Sequence, residues 1–437
     1  MKKLLLILIA KAITISAQIT PANNIIAIDI NQPQNAAYTY DSAYSTCYNL
    51  GMRQVGLSFP WPNIETSPNV YNLTLLDIAN LYYPASNMPV DLTLAPINTN
   101  IKSVPSDLAA LAFDDPAMIA RFKKLIDSVF AHIPNLQLSS LVIGSEVDIY
   151  LGSNPSLWTQ YINFYSQVSA YARTLRPSLK VSCEAKLEGL TTTSITYLQT
   201  LNAFSDYIGV SYYPLHADFT VEPFTTVASD INALVTTYPT KPICFYQYGF
   251  PSDAVCNSSN ALQAQFITQT FSSWDAHAAN IRMIDFTWMH DYSPAAVSAA
   301  AAYYGLSSPG FLGFLGSLGL RTYAGNGSNK PAFDELICQA KMHGYNNLPT
   351  VCSSSVNDIS SETPAISIFP NPASSVVNII SENTMDEIKV ENALGQIIQQ
   401  LQPKQKTISL SLPKPGIYFI SIKTEKQTLI RKRIINQ

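Results

Sequence analysis

At 437 residues the chain is long enough for one large domain plus a smaller module, and 47% apolar against 13% charged residues excludes a disordered polymer. The formal charge of −4 comes without a basic stripe ahead of the C-terminal segment, which removes nucleic acid from the expected partners. The 24 Tyr and 18 Phe suit aromatic surfaces, whether in sugar-binding clefts or in ordinary packing.

In chain order, Met1-Lys2-Lys3 and the apolar run from Leu4 to Ala10 have the form of a secretory signal over residues 1–17, with cleavage after Ala17. Lys11 interrupts the run, and a buried first strand is the competing reading. No later stretch approaches the ~20 apolar residues of a transmembrane helix. The expectation is a secreted or outer-surface chain, monomeric and without a membrane span. None of the six cysteines shows the CxxC spacing of a zinc site, and no metal or cofactor is expected. Cys338 and Cys352 are the best candidate disulfide, whereas Cys183 and Cys244 fall in apolar strands as small buried hydrophobes.

From residue 20 to 350, strand-length apolar runs alternate with segments of helical periodicity. The predicted strands are Ile25–Ile30, Arg53–Phe59, Val90–Pro96, Ser140–Ser145, Lys180–Ala185, Tyr207–Tyr212, Pro242–Gln247 and Arg282–Trp288, with clear helices at Leu157–Leu175 and Ala261–His277. Eight such units favour an α/β fold of the closed (β/α)8 TIM-barrel kind, whose functional groups gather where strands end. Those ends supply Trp61, Asn98, Ser145-Glu146-Val147-Asp148, Glu184, Tyr212-Tyr213-Pro214, Gln247 and Trp288-Met289-His290-Asp291, with His216 just beyond the sixth. The set is rich in carboxylates, amides and aromatics. No HxH or HExxH spacing makes His290-Asp291 a metal pair, and no GxSxG elbow supports a serine triad.

After Cys352 a Ser-rich linker (351–364) precedes a segment of short alternating strands (365–437), read as a small all-β sandwich. Its FPNP at Phe369–Pro372, NALGQII at Asn392–Ile398, PGIYFISI at Pro415–Ile422 and RKRII at Arg431–Ile435 resemble the type A C-terminal sorting domain of the type IX secretion system of Bacteroidota. That resemblance implies the secretion machinery as a partner and delivery to the outer face of the cell.

The barrel resembles clan A glycoside hydrolases of galactanase-like and cellulase-like kind. LVIGSEVD at Leu141–Asp148 looks like the family's Gly-Asn-Glu motif, which implies Glu146 as acid/base. The YYP turn resembles the family's nucleophile-orienting tyrosine, giving that role to Tyr212 and a sugar contact to Tyr213. Trp288 matches the sugar-stacking tryptophan, and KPICFYQYGFPS (Lys241–Ser252) resembles the segment that carries the nucleophilic glutamate. Here that position is Gln247. Asn98, Trp61, His216 and Asp291 are the remaining candidate contacts to a poly- or oligosaccharide.

A retaining glycosidase needs two carboxyl groups about 5–5.5 Å apart, one attacking the anomeric carbon and one protonating the leaving oxygen. An amide keeps the volume of the first but has no charge and forms no ordinary glycosyl ester. Ser145 stands where the family has an asparagine that bonds the sugar 2-hydroxyl. The sequence therefore predicts a sugar-shaped barrel with impaired chemistry. The alternative is an active hydrolase pairing Glu146 with a relocated carboxylate, Glu184 or Asp291, for which the separation would be about 6.5–9.5 Å.

Overall fold

The computed structural model describes residues 18–349, 352, 366–370, 373, 375–392, 396–425 and 429–436. The signal segment and, Cys352 apart, the linker lie outside the described residues. The chain divides into two units, residues 1–352 and 353–437, each with its own buried core.

The first unit is built on eight parallel strands. They are β1 (Ile25–Ile28), β2 (Val55–Pro60), β3 (Val90–Asn98), β4 (Leu138–Ser145), β5 (in two pieces, Val181–Ser182 and Glu184–Lys186), β6 (Ile208–Tyr212), β7 (Ile243–Tyr248) and β8 (Ile281–Phe286). Each pairs with its sequence neighbour, and β1 adds to β8 with Ile25 opposite Met283. The ring closes between β1 and β2 through the Ala27–Gln54 bridge and an N–H of Arg53 donated to the carbonyl of Ile26 at 3.0 Å. Closure leaves no edge strand to protect.

Helices α1 (Tyr40–Leu50), α2 (Thr74–Tyr82), α3 (Pro116–His132), α4 (Pro155–Leu175), α5 (Ile195–Asn202), α6 (Thr226–Thr237) and α7 (Asn260–Ala276) follow β1 to β7 in turn. Side-chain caps start several of them: Asp115 accepts from the Ala117 N–H, Asn154 from Ser156 and Leu157, and Ser259 from Leu262. Buried rings such as Trp158, Tyr161, Phe122 and Phe266 fill the layer between helices and strands. After β8 the chain forms α8 (Pro294–Tyr304), α9 (Pro309–Ser317) and α10 (Pro331–Met342). Cys338 in α10 is disulfide-bonded to Cys352, with Cα atoms 5.3 Å apart, while Cys183 and Cys244 are buried free thiols.

The barrel floor is polar and internally bonded. Asp91 accepts from Ser140 Oγ at 2.6 Å and from Gln54 Nε2, and the Tyr246 hydroxyl meets Ser140 at 3.0 Å and Ser182 at 2.8 Å. Gly209 makes room for the Tyr246 ring, since a Cβ there would stand 2.9 Å from it.

The second unit is antiparallel: β9 (Ile366–Phe369), β10 (Val376–Asn392), β11 (Ile397–Leu401), β12 (Gln405–Ser411), β13 (Gly416–Thr424) and β14 (Leu429–Asn436). The long β10 pairs through its first half with β9 and β12, and through its second half with β11 and β13. One strand thus serves both layers, around a core that includes Val377, Ile379, Ile388, Val390, Leu410 and Ile420. Among the described residues no helix is long and apolar enough to cross a membrane.

Candidate functional site

Three backbone devices assemble the mouth of the barrel. At the end of β4, Gly144 has φ +87°, and a Cβ there would fall 2.3 Å from the Tyr161 hydroxyl, so the turn requires glycine. Glu146 follows in a left-handed conformation, φ 47° and ψ 46°, which a non-glycine residue adopts at a cost of about 1 kcal/mol. Between β6 and β7 the register skips one residue, Val210 facing Phe245 and Ser211 facing Gln247. This bulge turns Tyr246 and Gln247 both toward the barrel axis, against the usual alternation.

Glu146 is nearly buried. Its Oε1 accepts from Ser211 Oγ at 2.6 Å and its Oε2 from Thr99 Oγ1 at 2.8 Å. Gln247 accepts from the Tyr213 hydroxyl at 3.1 Å and donates through Nε2 to Ser145 Oγ at 3.1 Å and Glu184 Oε2 at 3.2 Å. Ser145 Oγ in turn donates to Glu184 Oε2 at 2.6 Å, while Glu184 Oε1 is buried without a partner. Strands β4 to β7 thus bring Ser145, Glu184, Tyr213 and Gln247 into one hydrogen-bonded network, with the Glu146 carboxylate beside it, held separately by Ser211 and Thr99.

Burial pushes the Glu184 carboxyl up to about 8; the Ser145 hydrogen bond opposes this and the Glu146 charge adds to it. Asp29, just past β1, is raised to about 7 by burial, against a hydrogen bond with Trp288. Asp285 in β8 is raised well above the usual carboxylate range by burial and by its neighbours Asp29, Asp91 and Glu184. Gly56 leaves space for this acidic pair: a Cβ would lie 3.1 Å from Asp285 Oδ2 and 3.8 Å from Asp29 Oδ1. No side-chain signal beyond strand parity marks Asp29 and Asp285 in the sequence, and neither was among the predicted site residues. Among the described residues no group of three or more His, Cys, Asp or Glu is arranged to hold a metal ion.

Three expectations, on Tyr212, Trp61 and Asp291, are corrected. Tyr212 does not orient Gln247; its hydroxyl donates to Asp230 in α6 at 2.7 Å, because successive residues of a strand face opposite sides and Ser211 and Tyr213 hold the inner one. Trp61 lines nothing: it is fully buried, its indole N–H bonded to Glu65 at 2.8 Å and its ring edge-on to Phe122. Asp291 is engaged by Lys330 Nζ at 2.6 Å, and Lys330 is held by Ser252 and the Ser317 carbonyl, so this carboxylate belongs to a buried ion pair. Asp148 accepts the Lys186 N–H at 3.0 Å and packs against Gly189, tying the β4 loop to β5. His290 is buried against Asn31 and Arg321.

Trp288 sits half-buried at the end of β8 with one face taken by Tyr292, centroids 3.5 Å apart and planes 11° from parallel. Asn98 donates to the Tyr303 hydroxyl at 3.2 Å. His216 is exposed in the β6 loop, 3.9 Å from Glu222.

Residues 367–436 match the model of the secretion system C-terminal sorting domain. A search of curated proteins finds no match. Among solved structures the chain is similar to an exo-β-1,4-mannosidase from Opitutaceae bacterium strain TAV5, at TM-score 0.55 and 14% identity over 75% of this chain and 61% of that one. It is also similar to an intracellular xylanase from Thermoanaerobacterium saccharolyticum, at TM-score 0.51 and 14% identity over 72% and 95%. A Bacteroides uniformis β-glucuronidase matches at TM-score 0.51 and 11% identity, covering 95% of this chain but 46% of its own length, so the chain spans about half of that enzyme. The first unit has the (β/α)8 fold of clan A glycoside hydrolases, and the C-terminal unit is a sorting domain that marks the chain for export by type IX secretion to the cell surface or beyond.

Proposed function

We propose that this is an exported carbohydrate-binding barrel that keeps the frame of a retaining glycosidase without its two-glutamate chemistry. The observation that carries the reading is the bonding of Gln247. Its amide oxygen is taken by Tyr213 and its amide nitrogen by Ser145 and Glu184, so a neutral group fills the nucleophile's place with its polarity satisfied on both ends. Retention needs an ionised carboxylate there to bond the anomeric carbon. The surrounding hydroxyls, amides and half-buried aromatics remain suited to a sugar's mixed polar and apolar faces.

A second reading, hydrolysis with inversion, is favoured by one contact. Glu184 touches Gln247 and keeps one oxygen unpartnered, which would serve as base for a water while Glu146 acts as acid. Its pKa of about 8 weighs against this near neutrality, where the base would be mostly protonated.

Binding and hydrolysis on β-mannan, β-xylan, β-galactan and β-glucan, for the natural chain and for Gln247→Glu, separate the readings. The expected result is binding without turnover by the natural chain, and turnover by Gln247→Glu on the order of 10³-fold or more above it. Turnover by the natural chain that climbs between pH 7 and 9 and is lost in both Glu146→Gln and Glu184→Gln establishes inversion instead.

A further inference from the structure

We infer that the mouth of this barrel receives the end of a glycan chain, or a short oligosaccharide, and not an internal stretch of a polymer; the inference rests on the sugar-binding reading above. The segment after β8 decides it. Helix α8 leaves β8 at Ser293 and ends against the β3 loop, where Asn98 donates to the Tyr303 hydroxyl at 3.2 Å and Asn100 Nδ2 to the Tyr304 carbonyl at 3.0 Å. Strands β8, β1, β2 and β3 are consecutive around the ring, so α8 spans the chord that separates β1 and β2 from the rest of the mouth. At about 16 Å its eleven residues are long enough for that crossing.

The four networked residues and Glu146 stand at the ends of β4 to β7, on one side of that chord. The barrier then continues. Tyr304, close enough to Glu146 to feel its charge, meets Phe311 of α9 edge-on at 6.4 Å. Phe311 and Phe314 pack on Phe219 and Tyr213 of the β6 loop, with ring centroids 5.1 and 5.2 Å apart for Phe311–Phe219 and Phe314–Tyr213. Cys256 Sγ, beyond β7, reaches the Gly310 carbonyl at 3.5 Å and joins the same apolar cluster. A wall of side chains therefore runs from the β3 loop to the β6 loop around the network. A polymer crossing the site and leaving over β1 and β2 would have to pass through α8, whereas a chain end would stop against it.

The test is a titration of chain ends with the full secreted protein. β-Mannan, β-xylan, β-galactan and β-glucan are each offered intact and after partial acid hydrolysis, and half-saturation is read by mass of glycan. The expected result is that the half-saturating mass falls by the factor by which hydrolysis multiplies the ends. A half-saturating mass that does not change on shortening overturns the inference and leaves sugar binding standing. Failure to bind any glycan, intact or shortened, overturns both.

Discussion

The two tyrosines of the YYP turn differ by one residue and by everything else. Tyr213, just past β6, continues the inward side of Ser211 and holds the Gln247 amide, while Tyr212 points outward to Asp230 among the helices. Removing the Tyr213 hydroxyl frees the acceptor side of Gln247 and lets the amide swing, so Tyr213→Phe is expected to weaken glycan binding by about 1 kcal/mol, roughly fivefold in Kd. Tyr212→Phe is expected to leave Kd unchanged and to lower unfolding stability by about 1 kcal/mol, through loss of one half-buried hydrogen bond. Calorimetric titration and denaturant unfolding on the same two variants check both halves. Equal effects of the two on Kd would mean that the outer tyrosine also acts on the site.

At the scale of elements, the geometry at the mouth depends on how β4 ends. Gly144→Ala forces a Cβ into the Tyr161 hydroxyl at a positive φ, and the hydroxyl is already donating to the Ile143 carbonyl at 3.0 Å. We expect a loss of about 3 kcal/mol in unfolding free energy, read from the urea midpoint, together with weaker glycan binding as Glu146 shifts. The alternation of strands and helices was legible in the sequence because apolar runs of strand length and helical periodicity differ in period, and the predicted strands overlap all eight observed ones. What was not legible came from devices that leave no local pattern. The bulge that brings Gln247 inward is a property of pairing between β6 and β7, and the break in β5 falls between Ser182 and Glu184 within one apolar run. Parity counted from Ser211 would have chosen Tyr213 over Tyr212. Nothing local marks Asp291 as the partner of Lys330, 39 residues away, or α8 as a barrier across the mouth.

For the whole molecule, the buried acids of the barrel unit set a pH dependence whose sign is fixed by their direction of shift. Burial raises Glu184 to about 8, Asp29 and Asp148 to about 7 and Asp91 to about 6. As pH rises through the ordinary carboxylate range, the unfolded chain gives up these protons while the folded chain keeps them. Unfolding is therefore favoured progressively until the pH exceeds the folded values. Each fully shifted group contributes a slope of up to about 1.4 kcal/mol per pH unit over its window. The barrel unit is accordingly expected to be more stable near pH 5 than near pH 8. Glu184→Gln keeps an acceptor for Ser145 and Gln247 and cannot ionise, so it should flatten the slope between pH 5 and about 8 and raise stability at the upper end. Urea unfolding across that range, followed by tryptophan fluorescence, reads the slope directly. A natural chain whose stability rises from pH 5 to 8 would mean that these carboxyls are ionised in the fold. It would also restore Glu184 as a ready base and shift the balance toward the inverting hydrolase.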